Sequence, residues 1–116
     1  MLSRSNCLKK KKDFEKVFKQ GKGFKEDFLF LKFIANNLKK NRFGVIVSQK
    51  ISKKAVIRNK IKRRIKSILI QKLPEIKKQL DIVLVALPGL ETKNFWEIKE
   101  IINNLFKKAK IYQWNS

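Results

Sequence analysis

Residues 53–66 read KKAVIRNKIKRRIK, and the apolar positions within and just beyond them decide what this part of the chain must be. Ile57, Ile61, Ile65, Ile68 and Leu69 recur at about 100° per residue, a spacing that an α-helix gathers into one stripe. The periodicity predicts a helix over residues 52–72, which Pro74 ends or bends. Two apolar runs flank it. RFGVIVS (42–48) comes before, and DIVLVAL (81–87), closed by Pro88 and Gly89, comes after. The second run, apolar throughout, is of the kind found in a parallel strand that follows a helix.

Working outward, residues 28–35 (FLFLKFIA) predict another strand, with residues 42–48 as its antiparallel partner and a short extra strand just after Gly23. Asp13, Phe14, Val17 and Phe18 show helical spacing before Gly21 and Gly23 stop it, which predicts a first helix. Phe95, Ile98, Ile102, Leu105, Phe106 and Ala109 predict a last helix, with Thr92 as its cap. The expected order is αβββαβα, an α+β fold (α/β sandwich) with a small mixed sheet. At 116 residues the chain holds one domain, residues 1–116, since two independent cores would not fit.

Charge narrows the function. Thirty Lys and Arg against nine Asp and Glu give a formal charge of +21, which calls for a polyanionic partner. There is no histidine, so the usual general acid/base and the commonest metal ligand are both missing. Cys7 is the only cysteine, which rules out an internal disulfide and a thiolate metal cluster. No run is long and apolar enough to span a membrane, and the expectation is a cytoplasmic protein with neither membrane nor small-molecule partner.

The charge is densest on the helix that opened this reading. Arg58 and Lys62 form one i, i+4 pair and Asn59 and Arg63 the next, a compact patch largely opposite the isoleucine stripe. An arginine there could fork two hydrogen bonds to a phosphate and Asn59 could meet a sugar or base edge, while Lys53, Lys54, Lys60, Arg64 and Lys66 extend the field. A merely solvated helix would interleave Glu with Lys for i, i+4 support. Between Gln49 and Lys72 there is no acidic residue.

AVIRNKIKRRIK resembles the Arg-Asn, Lys-Arg signature helix of the bacterial ribonuclease P protein component. LKKKKDFEKVFKQG (8–21) is similar to that family's first helix, RFGVIVSQK (42–50) to the strand before the signature, and DIVLVA (81–86) to its last strand. Departures stand out at Cys7, where the family usually has Arg, at residues 51–54, which lack the usual Gly, at Lys66-Ser67 in place of Arg-Glu, and at Leu87 in place of a basic residue. The resemblance implies a fold like that of domain 2 of ribosomal protein S5, with a left-handed strand-helix-strand crossover, against the usual right-handed rule. It implies a protein without catalytic residues that binds a catalytic RNA subunit and precursor tRNA during 5′ leader removal, with Mg²⁺ held mainly by the RNA and none by the protein alone. By the same motifs, Arg58, Asn59, Lys62 and Arg63 would contact the RNA subunit, with Lys53, Lys54, Arg64 and Lys66 in support. Phe14 and Phe18 would help line a cleft for the single-stranded leader, joined by one of the residues between Phe28 and Phe33. A small ribosomal protein would share the charge and size. Only the family reading requires faster leader removal when the protein joins a ribonuclease P RNA at low Mg²⁺.

Two outcomes follow from +21 charges on so small a chain. Affinity for RNA should fall steeply with salt, by about 0.7 to 0.9 in the log-log slope for each neutralised phosphate. Sulfate or phosphate should raise the thermal midpoint by screening and binding the excess charge. Affinity indifferent to salt, or a midpoint indifferent to those anions, would contradict this reading.

Overall fold

The computed structural model of the chain describes residues 4–113. Its centre is β4 (Leu80–Ala86), LDIVLVA, in which every residue except Val85 is buried. A strand apolar on both faces of the pleat needs neighbours on both edges and cover on both faces. It pairs antiparallel with β2 (Leu29–Ala35) on one side and parallel with β3 (Arg42–Ile46) on the other, and β1 (Lys22–Glu26) adds a hairpin to β2. The sheet order is β1-β2-β4-β3. The strand after Gly23 is therefore present, but β3 is not the antiparallel partner of β2: β4 lies between them. The apolar demand of β4 for the central position outweighs the sequence proximity that suggested a hairpin.

Side chains alternate across the pleat. Leu29, Leu31, Phe43, Ile82 and Leu84 point into the larger core, which is closed by Ile61, Ile65, Ile68 and Leu69 of α2 (Ala55–Lys72) and by Ile98, Ile102, Leu105 and Phe106 of α3 (Phe95–Ala109). Burying each of these contributes about 1.5 to 3 kcal/mol. On the opposite face, Val17 of α1 (Lys11–Gln20) packs with Val83 and Leu8, bordered by half-buried Phe14, Phe18, Ile34, Ile46 and Val85. Helices thus cover both faces of one mixed sheet. The outer edge of β3 is taken by the N-terminal segment, where Cys7 bridges Phe43 in parallel and the Leu8 N–H donates to the Phe43 carbonyl at 2.8 Å.

Element ends depart from the sequence pattern where side chains compete for the backbone. The signature helix begins at Ala55 rather than near Ser52, because Ser52 Oγ accepts the Lys54 N–H at 3.2 Å and holds a turn there. The cap of α3 is Asn94, not Thr92. Asn94 Oδ1 accepts from the Glu97 N–H at 2.9 Å and Glu97 Oε1 accepts from the Asn94 N–H at 3.0 Å, a reciprocal capping box. Thr92 instead donates to the Gly89 carbonyl at 2.6 Å within the short 3-10 turn Leu90–Thr92. Gly89 itself has φ 111° and sits against the Phe28 ring, so it must be glycine on both counts.

A polar cluster is buried where α2 ends. Lys72 Nζ donates to Tyr112 Oη at 2.8 Å and to Asn103 Oδ1 at 3.3 Å, while Tyr112 donates to Asn103 Oδ1 at 2.6 Å. This cluster docks the segment after α3 onto α2. Burial lowers the Lys72 pKa; burial first and then Glu75 push the Tyr112 phenol well above its ordinary value. A phenol that holds its proton more tightly when folded stabilises the protein below about pH 10, the unfolded tyrosine value, and that contribution is lost as pH climbs toward the folded value. Tyr112→Phe should therefore lose less of its denaturation midpoint than the parent between pH 9 and pH 11, although it begins lower. Parallel pH profiles for the two proteins would contradict this burial.

Candidate nucleic-acid interface

On α2 the predicted patch divides in two. Asn59 and Arg63 are exposed and lie opposite the core stripe, whereas Arg58 and Lys62 are half-buried on its flank. Arg58 Nη1 donates to the Ser52 carbonyl at 2.9 Å and so braces the turn before the helix; Arg64 Nη1 donates to the Lys93 carbonyl at 3.1 Å and ties α2 to the start of α3. Both guanidiniums keep donors to spare. Lys53, Lys54, Asn59, Lys60, Lys62, Arg63 and Lys66 have no side-chain hydrogen bond or ion pair among the described residues. Their charge is uncompensated within the fold.

That face continues onto the N-terminal segment. A groove of about 460 Å³ runs between Arg4, Cys7 and Lys9 on one side and Arg63, Lys66 and Ser67 on the other. It holds four cations and no carboxylate. Cys7 and Ser67, two positions where the sequence departs from the family pattern, thus meet in one place. Separated by 60 residues in sequence, they gave no sign of being neighbours.

The second surface lies on the α1 face of the sheet. Phe14 and Phe18 are half-buried, packed on the strands yet still partly open to solvent. The β2 register resolves which neighbour joins them: Leu29, Leu31 and Phe33 point into the larger core, so Phe30, Lys32 and Ile34 share the α1 face. Lys32 Nζ hydrogen-bonds the Phe18 carbonyl near the end of α1. Arg42, also on this face, is held by carboxylates. It forks to Asp81 through Nε and Nη2 at 2.9 and 2.6 Å and reaches Asp13 in the first turn of α1 at 3.4 Å, while Asn36 Nδ2 donates to the same Asp81 at 2.7 Å. The hydrogen bond to Asp81 raises the Arg42 pKa further, and this network fixes one end of α1 to β3 and β4. What remains is an aromatic cleft with Lys32 at one edge and Lys16 of α1 near Ile34.

Among the described residues no group of three or more Cys, Asp or Glu side chains comes together in a way that could hold a metal ion. The chain has no histidine, so no imidazole is present to activate a nucleophile. The arrangement can bind and orient a polyanion. It offers phosphates a cationic helix face, and it offers unstacked bases aromatic edges.

Gly44 of β3 controls how closely α1 approaches. A Cβ there would lie 2.3 Å from the Phe14 ring. Gly44→Ala should push Phe14 outward and cost about 1 to 3 kcal/mol by overpacking, with a lower melting temperature as the readout. An unchanged melt would show that Phe14 does not rest on Gly44.

Comparison with known proteins gives a consistent result. The family model described as Ribonuclease P matches residues 2–110. The ribonuclease P protein component of Pseudanabaena sp. is 34% identical over 116 residues, covering 99% of this chain and all of the relative. That of Clostridium botulinum strain Langeland is 37% identical over 110 residues, covering 94% and 98%. Among solved structures, the RNase P protein of Staphylococcus aureus superposes with a TM-score of 0.85 at 27% identity, covering 93% of this chain and 98% of its own. The RNase P protein of Thermotoga maritima gives a TM-score of 0.80 at 31% identity, covering 87% and 94%. With a family model matched over residues 2–110 and relatives and solved structures alike over nearly the whole length, the chain belongs to the bacterial ribonuclease P protein component family.

Proposed function

We propose that the chain is the protein subunit of ribonuclease P, binding the catalytic RNA subunit and the 5′ leader of precursor tRNA so that the RNA cleaves at the mature 5′ end. The observation that carries this reading is the separation of two surfaces on opposite layers of one sheet. The exposed side of α2, with Asn59, Arg63 and their neighbouring lysines, suits a structured RNA held through its phosphates. The cleft under α1, with Phe14, Phe18, Phe30 and Lys32, suits a single strand held without reading its sequence. Arg58, Lys62, Lys53, Lys54, Arg64 and Lys66 reinforce the first surface. The protein supplies affinity and position, and the hydrolytic chemistry belongs to the RNA.

The same reading extends to points supported by resemblance and composition. Residues 1–116 form one RNA-binding domain, and the β3-α2-β4 crossover is left-handed, as in the fold of domain 2 of ribosomal protein S5. The protein works in the cytoplasm, in keeping with its single cysteine.

Substitutions on the two surfaces should separate the two tasks. Arg63→Ala removes an exposed charge and should weaken assembly with the RNA subunit by about 1 to 3 kcal/mol, leaving folding intact. Once enough protein is present to saturate assembly, its ratio of precursor to mature tRNA affinity should match the parent's. Phe18→Ala should lower that ratio, by about 1 to 3 kcal/mol of precursor binding, with mature tRNA unaffected because it has no leader. Circular dichroism and a thermal melt establish that the variant is folded. A folded Phe18→Ala protein with the parental ratio would return Phe18 to a purely structural role, and failure of the wild-type protein to accelerate leader removal by a ribonuclease P RNA at low Mg²⁺ would overturn the whole reading.

A further inference from the structure

Trp96, the second residue of α3, is 71% exposed, whereas most large apolar side chains of the fold are buried. The indole is nonetheless held in place. Phe95 meets it edge-on, with ring centroids 5.3 Å apart and planes at 89°, and Lys99 Nζ stands 5.5 Å from its centroid. A solvent-facing ring already ordered by its neighbours loses little entropy when a flat partner settles on it.

Its position in the fold says what that partner is. Trp96, Lys99 and Asn103 lie on the flank of α3 that faces α2, and with Lys72 they line a groove of about 490 Å³. Glu75 and Glu100 line the groove as well, which discourages a phosphate inside it and leaves the ring as the binding element. On α2, Lys60 and Arg64 stand four residues apart on the side turned toward α3, and the Arg64 hydrogen bond to the Lys93 carbonyl brings the start of α3 against the basic helix. The Arg64 contact thus holds the start of α3, which carries Trp96 and Lys99, alongside the basic helix. A second copy of the chain would need a contiguous apolar patch here, and apart from Phe95 the residues around the ring are charged or polar.

We propose that Trp96 is a stacking platform for an unpaired nucleobase of the RNA subunit, which brings the beginning of α3 into the RNA interface. This rests on the reading that α2 binds that RNA. Base-aromatic stacking tolerates any base, and the cation beside the ring suits the adjoining backbone.

The test uses the full chain with Trp114→Phe, so that tryptophan emission reports Trp96 alone. Titration with a bacterial ribonuclease P RNA subunit should quench that emission and saturate as the complex forms. Trp96→Ala should weaken assembly by about five- to a hundredfold, and Trp96→Phe, which keeps a smaller ring, should recover much of the loss. Emission unchanged at saturating RNA, or parental affinity in Trp96→Ala, would overturn the proposal. So would an emission change that grows with protein concentration without RNA, which would identify a second copy as the occupant. Arg63→Ala measured alongside distinguishes the two levels: if it weakens assembly while both Trp96 variants bind as the parent does, only the stacking platform is wrong, and if none of the three has an effect, the α2 surface is wrong too.

Discussion

β4 is apolar on both faces of its pleat, and water can be kept from such a strand only if both of its edges are paired and both of its faces are covered. From that requirement comes the rest of the architecture. β2 and β3 take the edges, α2 and α3 close one face, and α1 with the N-terminal segment closes the other. Because α2 must turn its isoleucine stripe to the sheet, the residues opposite, Asn59, Arg63 and Lys66, are driven outward together. The cationic face is thus a by-product of where the core has to be. A helix with no acidic residue over its length repels itself in isolation, and tertiary burial is what holds it.

The opposite face is only partly closed. α1 spans ten residues, enough to bury Val17 over Val83 but not to cover Phe14, Phe18, Ile46 and Val85 completely. Its position is fixed at one end by the Arg42 fork to Asp81 and Asp13 and near the other by Lys32 on the Phe18 carbonyl. Buried ion pairs of this kind add little net stability, because desolvation offsets the attraction, but they specify one docking geometry. A cleft whose walls are set by such contacts can hold a flexible strand without first having to close. Because the two surfaces lie on separate layers, occupancy of one leaves the other accessible.

The sequence by itself determined the order and type of the main elements apart from the short β1, because they carry a strong pattern: 3.6 residues for the isoleucine stripe of α2, continuous apolarity for β4. It determined the polyanionic partner through charge, and the family through a motif of fixed spacing on α2. Local chemistry was less legible. Asn94 displaced Thr92 as the cap and Ser52 delayed the start of α2, since several residues within a few positions could each supply the same hydrogen bond. Only the tertiary structure decided that β4 separates β2 from β3, because strand order depends on which strand is buried on both faces once the helices have docked. It alone put Phe30 and Lys32 beside Phe18, a matter of β2 register, and bent Arg58 and Arg64 back onto backbone carbonyls. It alone brought Cys7 to Ser67 and set Trp96 against the basic helix, for these residues are distant in sequence and become neighbours only through the packing of whole elements.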